Sequence, residues 1–371
     1  MYLKELASIK KSNRFRTRDI FDDSLIDLAS NDYLGLSVNK TLLQNAYEKI
    51  LKLNSHSPKA SMLVNGYSKV HKEFEEKLCE INKFEAGITL GSGFLANISL
   101  IEALVRKNDT LFIDEEYHAS GILATKLLKP EQVIIFKHND YLDLEKKIKI
   151  NQRTGRIIIA IEGVYSMGGD LAPIEIFNIA DNYKALLIVD EAHSSGVIGE
   201  NLSGIYDYYK ITPNQFHIKM GTLGKAYGSY GAYILASKQI IDFLTNRAKP
   251  IIYSTAPSLF DTALALESLK SIINNKEELK DKIEKNLKII KNILNIDSNS
   301  LIIPITIGDN KKVKQIQEIL KNKGYLVGAI RQPTVKSAII RLIAKIDIDE
   351  NDLINVCNLL KDLKSANKWF N

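Results

Sequence analysis

Seven short strand-like runs punctuate the first two thirds of the chain, most of them apolar without alternating with polar residues: 87–90, 110–113, 132–136, 157–161, 186–189, 216–220 and 231–236. A strand wet on one face alternates, because successive side chains point to opposite faces. Runs that stay apolar are covered on both faces. Helical patterns separate most of them, which predicts an α/β fold with a mainly parallel seven-stranded sheet between helices. In such sheets ligands bind beyond the carboxyl ends of the strands. Gly93, His118, Ser166, Asp190, His193 and Lys225 all follow strand ends. That convergence limits where a site can lie before any single motif is weighed.

The pattern changes after Pro250. Residues 258–274 and 276–295 read as helices with many Lys–Glu neighbours. Segments 301–307, 325–329 and 338–344 read as strands, and 312–323 and 350–365 as helices, so a smaller α+β domain is expected. The predicted organisation is an N-terminal arm over 1–36, a large domain over 37–250 and a small C-terminal domain over 251–371. In the arm, residues 1–20 are basic and read as a short helix followed by Arg14, Arg16 and Arg18. Either these arginines are solvated, or one closes over an anionic substrate. Residues 28–36 read as turn-rich. Residues 55–70 have no clear period and read as a long loop.

Composition excludes several classes. The formal charge of +6 would suit nucleic acid, but the lysines are scattered and followed by acids, as in Lys276-Glu-Glu-Leu-Lys-Asp-Lys282. That pattern is a solvated helix face. The two cysteines, Cys79 and Cys357, sit in separate helical patterns without a Cys/His cluster. They read as buried thiols in a reducing compartment, and no charged-then-apolar leader follows Met1, so a cytoplasmic location is expected. No apolar run approaches a membrane span. No HExxH, GxSxG or Walker A sequence occurs, which argues against a metal site, a serine hydrolase and a P-loop enzyme.

The chemistry centres on Gly221-Thr-Leu-Gly-Lys-Ala-Tyr-Gly228. A lysine among glycines, between two apolar runs, is either an exposed turn residue or a desolvated amine able to attack a carbonyl. Upstream lies Leu186-Leu-Ile-Val-Asp-Glu-Ala-His193, with Asp190 at the end of a buried strand. A strand-end acid followed by a lysine in a glycine-rich loop suits pyridoxal 5'-phosphate (PLP): the acid pairs with the ring nitrogen and the lysine forms the imine. Gly91-Ser-Gly-Phe-Leu-Ala96 also matches a dinucleotide fingerprint, with Asp109 or Asp114 as ribose acid. Physically it requires only an anion on a helix N-terminus, which one phosphate satisfies. Hydride transfer has no use for Lys225 and Asp190, so PLP is the preferred reading. His118 suits the face of the ring, His193 the phenolic oxygen, and Ser166 and Thr222 the oxygens of the cofactor. Glu162 and Glu191 either support these groups or are strand-end charges. His56, His71, His138 and His217 read as structural.

Eight motifs together resemble the α-oxoamine synthase family of fold-type-I PLP enzymes over nearly the whole chain. They are Ser30-Asn-Asp-Tyr-Leu-Gly35, Gly91-Ser-Gly-Phe94, Tyr117-His-Ala-Ser120, Glu162-Gly-Val-Tyr-Ser-Met167, Val189-Asp-Glu-Ala-His-Ser194, Gly221-Thr-Leu-Gly-Lys225, Tyr253-Ser-Thr255 and Ile330-Arg-Gln-Pro-Thr334. The resemblance implies that Lys225 holds PLP and moves the Cα proton. It implies Asp190 on the ring nitrogen, His193 on the phenolic oxygen and His118 stacked on the ring. Gly93, Phe94, Ser166 and Thr222 would line the cofactor, and Ser254 and Thr255 would reach the phosphate in the other subunit of a homodimer. Arg341 would hold the amino-acid carboxylate, and Arg14 and Thr334 would touch the acyl substrate.

Ser57-Pro-Lys-Ala-Ser-Met-Leu-Val-Asn-Gly66 and Val327-Gly-Ala-Ile-Arg331 favour the branch that condenses L-alanine with a pimeloyl thioester, carried on CoA or an acyl carrier protein. A sister enzyme would join glycine to acetyl-CoA or another acyl-CoA. An aminotransferase on the same fold would form a keto acid without releasing CO2. Three positions depart from the family pattern. Gly168 replaces an acid, Met62 stands where an arginine is usual, and Ile339 replaces the first residue of an Arg-x-Arg pair.

Overall fold

Every one of the unalternated runs becomes a strand in the computed structural model, which describes residues 1–12 and 14–365. In chain order the strands are β1 (Ile26–Leu28), β2 (Ala86–Leu90), β3 (Thr110–Asp114), β4 (Val133–Phe136), β5 (Ile157–Glu162), β6 (Leu186–Asp190), β7 (His217–Thr222), β8 (Ala232–Ala236), β9 (Ile302–Gly308), β10 (Tyr325–Ile330) and β11 (Ala338–Ile343). The chain divides into two compact units. One comprises Leu34–Ser166 and Asp170–Leu279; the other comprises Met1–Tyr33, Met167–Gly169 and the chain from Lys280.

The first unit holds a seven-stranded sheet in the order β2-β8-β7-β6-β5-β3-β4. Only β8 runs against the others, pairing antiparallel with both β2 and β7. The predicted fold class is correct, and the burial explains why it was readable. Ile159 in β5, Leu187 and Ile188 in β6 and Ile218 in β7 are completely buried. Each such side chain contributes roughly 1.5–3 kcal/mol relative to exposure. A polar residue in these runs would lose hydration on either face, and β5 and β6 carry none until their last residue.

Four of the strands close on a polar residue. β3 ends at Asp114, β5 at Glu162, β6 at Asp190 and β7 at Thr222. Glu162 and Asp190 are register partners. β2 leads through Gly91 and Ser92 into the helix Gly93–Leu104, whose first turn is capped by Ser92 Oγ accepting from the Leu95 N–H at 3.3 Å. These termini lie side by side because their strands are parallel neighbours, or, for β2 and β7, flank β8.

Residues 55–70 are largely irregular, as expected. They include one wide turn at Met62–Gly66, closed by the Gly66 N–H donating to Ser61 O at 3.0 Å. The second unit contains a four-stranded sheet in the order β1-β10-β11-β9. The helices Asn310–Lys321 and Glu350–Ser365 belong to it, close to their expected bounds. The sequence reading missed β1. Three residues, Ile26–Leu28, pair parallel with Tyr325, Leu326 and Val327. A strand that short has too little pattern to detect, and its partner lies some three hundred residues away. Among the described residues no helix is long and apolar enough to cross a membrane.

Candidate active site

The glycine-rich loop joins β7 to β8 as a tight connection. The Leu223 N–H donates to Gly231 O, the Ser229 N–H to Leu223 O and the Gly228 N–H to Lys225 O, each at 2.9 Å. Two glycines in it have steric reasons. Gly228 has φ +56°, and a Cβ there would press on the backbone of Leu36 and Ser37; a Cβ on Gly221 would strike the ring of Tyr233. The loop thereby holds Lys225 at a fixed place on the rim of the sheet.

A cavity of about 190 Å³ opens at the strand ends. Gly93, Phe94, His118, Asp190, His193, Thr222 and Lys225 all line it, together with Asn97 and Glu162. Lys225 Nζ and His193 Nε2 lie 2.7 Å apart, within hydrogen-bond distance. Thr222 Oγ1 donates to Gly231 O at 3.0 Å, which ties the strand end to the loop exit.

A single hydrogen-bond chain organises the opposite wall. Tyr117 Oη donates to Asn97 Oδ1 at 2.6 Å. That fixes the amide so that Nδ2 donates to Asp190 Oδ2 and to Ser120 Oγ, both at 2.9 Å. The Ser120 hydroxyl then faces His118 Nδ1 at 2.7 Å, and the Ser120 N–H donates to the same nitrogen at 3.3 Å. The Ala192 N–H donates to Asp190 Oδ1 at 3.0 Å. Desolvation lowers the pKa of His118 and the Lys225 charge adds to it, while Asp190 acts in the opposite direction. A neutral His118 with Nδ1 as acceptor agrees with that chain. Burial, then Asp190 and Glu162, raise the Tyr117 phenol well above its usual range, so it stays a donor.

Asn97 is the residue the sequence reading missed. It is 1% exposed inside a largely apolar helix. A buried amide one turn after Gly93 was the available signal, since such a group needs partners. The two strand-end glutamates differ. Glu191 is structural: it accepts from Ser194 Oγ and the Ile205 N–H and faces the buried Lys219 at 3.4 Å. Glu162 belongs to the cavity wall. His138 lies between Asp114 at 3.0 Å and Asp170 at 2.8 Å, and Asp109 pairs with Arg156 at 2.6 Å. Both acids once available for a ribose are thus engaged by cations.

The remaining predicted residues lie outside this cavity. Ser166 is buried, with its N–H donating to Glu162 Oε2 at 3.1 Å. Ser254 and Thr255 follow the short helix Lys249–Ile252, beside the exposed Tyr253. In the second unit Arg14 is exposed, and Thr334 Oγ1 accepts from Arg16 at 3.3 Å. Arg341 is buried in β11, donating to Asn31 Oδ1 at 2.9 Å. Among the described residues no group of His, Cys, Asp and Glu could hold a metal ion.

The donor set fits PLP. Lys225 supplies an amine, Asp190 an acid already held by two donors, His193 and His118 two imidazoles, and Gly93 begins a helix where a phosphate is stabilised. A strand-end cleft of this make-up defines a fold-type-I PLP-dependent transferase. The family model for aminotransferase class I and II matches residues 23–359. The chain belongs to that family and is a PLP-dependent acyltransferase. It is 46% identical over its full length to 8-amino-7-oxononanoate synthase of Helicobacter pylori strain J99, covering 99% of that protein. The protein of that name from Thermosipho melanesiensis is 36% identical over 84% of this chain and 80% of its own. Among solved structures, 8-amino-7-oxononanoate synthase from Francisella tularensis superposes with TM-score 0.78 at 25% identity, over 94% of this chain and all of that one. Serine palmitoyltransferase of Sphingomonas wittichii shares the fold, with TM-score 0.87 at 20% identity, over 98% of this chain and 96% of that one.

Proposed function

We propose that the protein condenses L-alanine with a pimeloyl thioester, releasing CO2 and the free thiol carrier and forming 8-amino-7-oxononanoate for biotin biosynthesis. One observation carries the reading: the chain aligns end to end with relatives of that name, and its Lys225, Asp190 and His193 surround one cleft. Bound PLP supplies an electron sink for the negative charge that develops at the substrate α-carbon.

The chain's own residues do the rest. Asp190, oriented by Asn97 and Ala192, would pair with the ring nitrogen and keep it protonated. Lys225 Nζ would anchor the cofactor, and its amine would take the Cα proton of alanine and later return one. His193 Nε2, 2.7 Å away, holds that amine in place and serves the phenolic oxygen. His118 covers the ring face. Thr222 and the N-terminus at Gly93 and Phe94 receive the phosphate side, with Ser166 beneath. In this reading the protein is a homodimer, and Ser254 and Thr255 complete the phosphate site of the other subunit. Arg341 holds the alanine carboxylate, and Arg14 and Thr334 meet the acyl chain or its carrier, either CoA or an acyl carrier protein.

Thiol release by the purified, PLP-loaded protein tests this directly. Pimeloyl-CoA with L-alanine and acetyl-CoA with glycine are offered side by side. Release with the first pair alone is expected. Release with the second alone keeps the reaction type and overturns the substrate. Failure of both, repeated with pimeloyl-acyl carrier protein, overturns the proposed reaction.

A further inference from the structure

We infer that Glu162 works as a neutral carboxylic acid whose Oε1–H donates a hydrogen bond to an anionic oxygen of the ligand bound in the cleft. It rests on the cofactor assignment but not on the identity of the thioester.

Glu162 and Asp190 end adjacent parallel strands as register partners. Two carboxyl groups that close do not both ionise without strong mutual repulsion. Their partners decide which one carries the charge. Asp190 receives two hydrogen bonds, from Asn97 Nδ2 at 2.9 Å and the Ala192 N–H at 3.0 Å. Glu162 receives one, from the Ser166 N–H at 3.1 Å, on Oε2. The proton therefore resides on Glu162.

That proton has one place to sit. Oε2 already accepts from Ser166, so the hydrogen is on Oε1. Glu162 is 1% exposed, and its Oε1 is buried without a hydrogen-bond partner among the described residues. The residue lines the cavity that holds Lys225 and Asp190. A buried hydroxyl without an acceptor is costly, and a ligand oxygen in the cavity would satisfy it. The surrounding groups agree. Burial raises the Glu162 pKa well above the carboxylate range, and Asp190 and Asp114 raise it further, against Lys225 and the Ser166 N–H. Tyr117 and Tyr165, whose phenols feel the Glu162 charge, are both kept protonated by burial and by the nearby acids.

Two oxygen sources share this chemistry, the phenolic oxygen of the cofactor and the carboxylate of the amino acid. The experiment separates them. Pyridoxamine 5'-phosphate, which forms no imine with Lys225, is titrated into apoprotein, and L-alanine into PLP-loaded protein followed by absorbance. Both are done for wild type, Glu162→Gln and Glu162→Ala, with melting temperature as a check of folding. Gln is neutral at every pH and keeps a donor and an acceptor. In one of the two titrations Glu162→Gln should bind within about threefold of wild type, and Glu162→Ala at least about tenfold more weakly. Wild type should lose that affinity on the alkaline side, where Glu162 ionises, and Glu162→Gln should not. The titration affected names the oxygen. The inference is overturned if Gln binds as weakly as Ala, if both ligands ignore the Ala change, or if the alkaline loss persists unchanged in Gln. Should Glu162→Ala not fold, the alkaline comparison of wild type with Glu162→Gln decides alone.

Discussion

Lys225 Nζ lies 2.7 Å from His193 Nε2, although the two residues come from loops after different strands. The amine is placed by the β7–β8 connection and the imidazole by the turn after β6. Replacing Lys225 by Ala should abolish turnover and leave no cofactor attached after borohydride reduction. Mass spectrometry of the reduced protein reads this out. Steady-state turnover by the variant would remove Lys225 from its assigned role.

Asp190 and Asn97 form the second test. Asp190→Ala removes the acid assigned to the ring nitrogen, and turnover should fall by on the order of 10² to 10³. Asn97→Ala leaves Asp190 in place but deprives it of one hydrogen bond, a loss of about 1.5–3 kcal/mol. It should therefore weaken cofactor binding at least about tenfold while sparing part of the turnover. Equal effects of the two substitutions on turnover would show that Asn97 does more than orient Asp190.

Glu75 predicts a pH dependence of stability. It is buried, and desolvation raises its carboxyl to about 7 against the opposing donors Tyr67 Oη, Thr89 N–H and Thr89 Oγ1. The fold thus prefers the neutral form. Its contribution is fully present below about 4.5 and is lost as pH rises through about 7. The loss amounts to roughly 3 kcal/mol. Glu75→Gln should flatten the melting temperature across that interval, as thermal unfolding at a series of pH values would reveal. An unchanged slope would assign the effect elsewhere.

His138 has the opposite chemistry. Burial alone would lower its pKa, but hydrogen bonds and charge from Asp114 and Asp170 overcome that and raise it to about 10. The stabilisation is complete below about 6.5 and is lost as pH rises through about 10. His138→Ala leaves the fully buried Asp114 without its cation and should cost on the order of 3 to 5 kcal/mol at neutral pH. The gap between variant and wild type should narrow in alkaline denaturant titrations. A gap independent of pH would mean that the imidazole acts by packing alone, for instance against Tyr165.

What could be read from the chain alone follows from burial. Residues 157–161 and 186–189 admit only a strand covered on both faces, because each apolar side chain there must leave water. The polar residue that ends each run then marks the rim where a ligand can bind. The glycines around Lys225 were legible for a related reason, since Gly221 and Gly228 occupy positions where a Cβ has no room. Local composition therefore determined the sheet, its rim and the reactive amine.

Tertiary structure alone decided the rest. β1 exists only because Ile26–Leu28 finds Tyr325–Val327. The role of Asn97 depends on Tyr117 and Asp190 arriving from other strands, and the His138 cluster on Asp114 and Asp170. Asp190 and Glu162 carry nearly the same side chain at the same place on neighbouring strands, yet two donors face one and one donor faces the other. Sequence determines which carboxyl groups are present, but a proton is shared out by the field and hydrogen bonds of the folded surroundings, which no local stretch of chain contains.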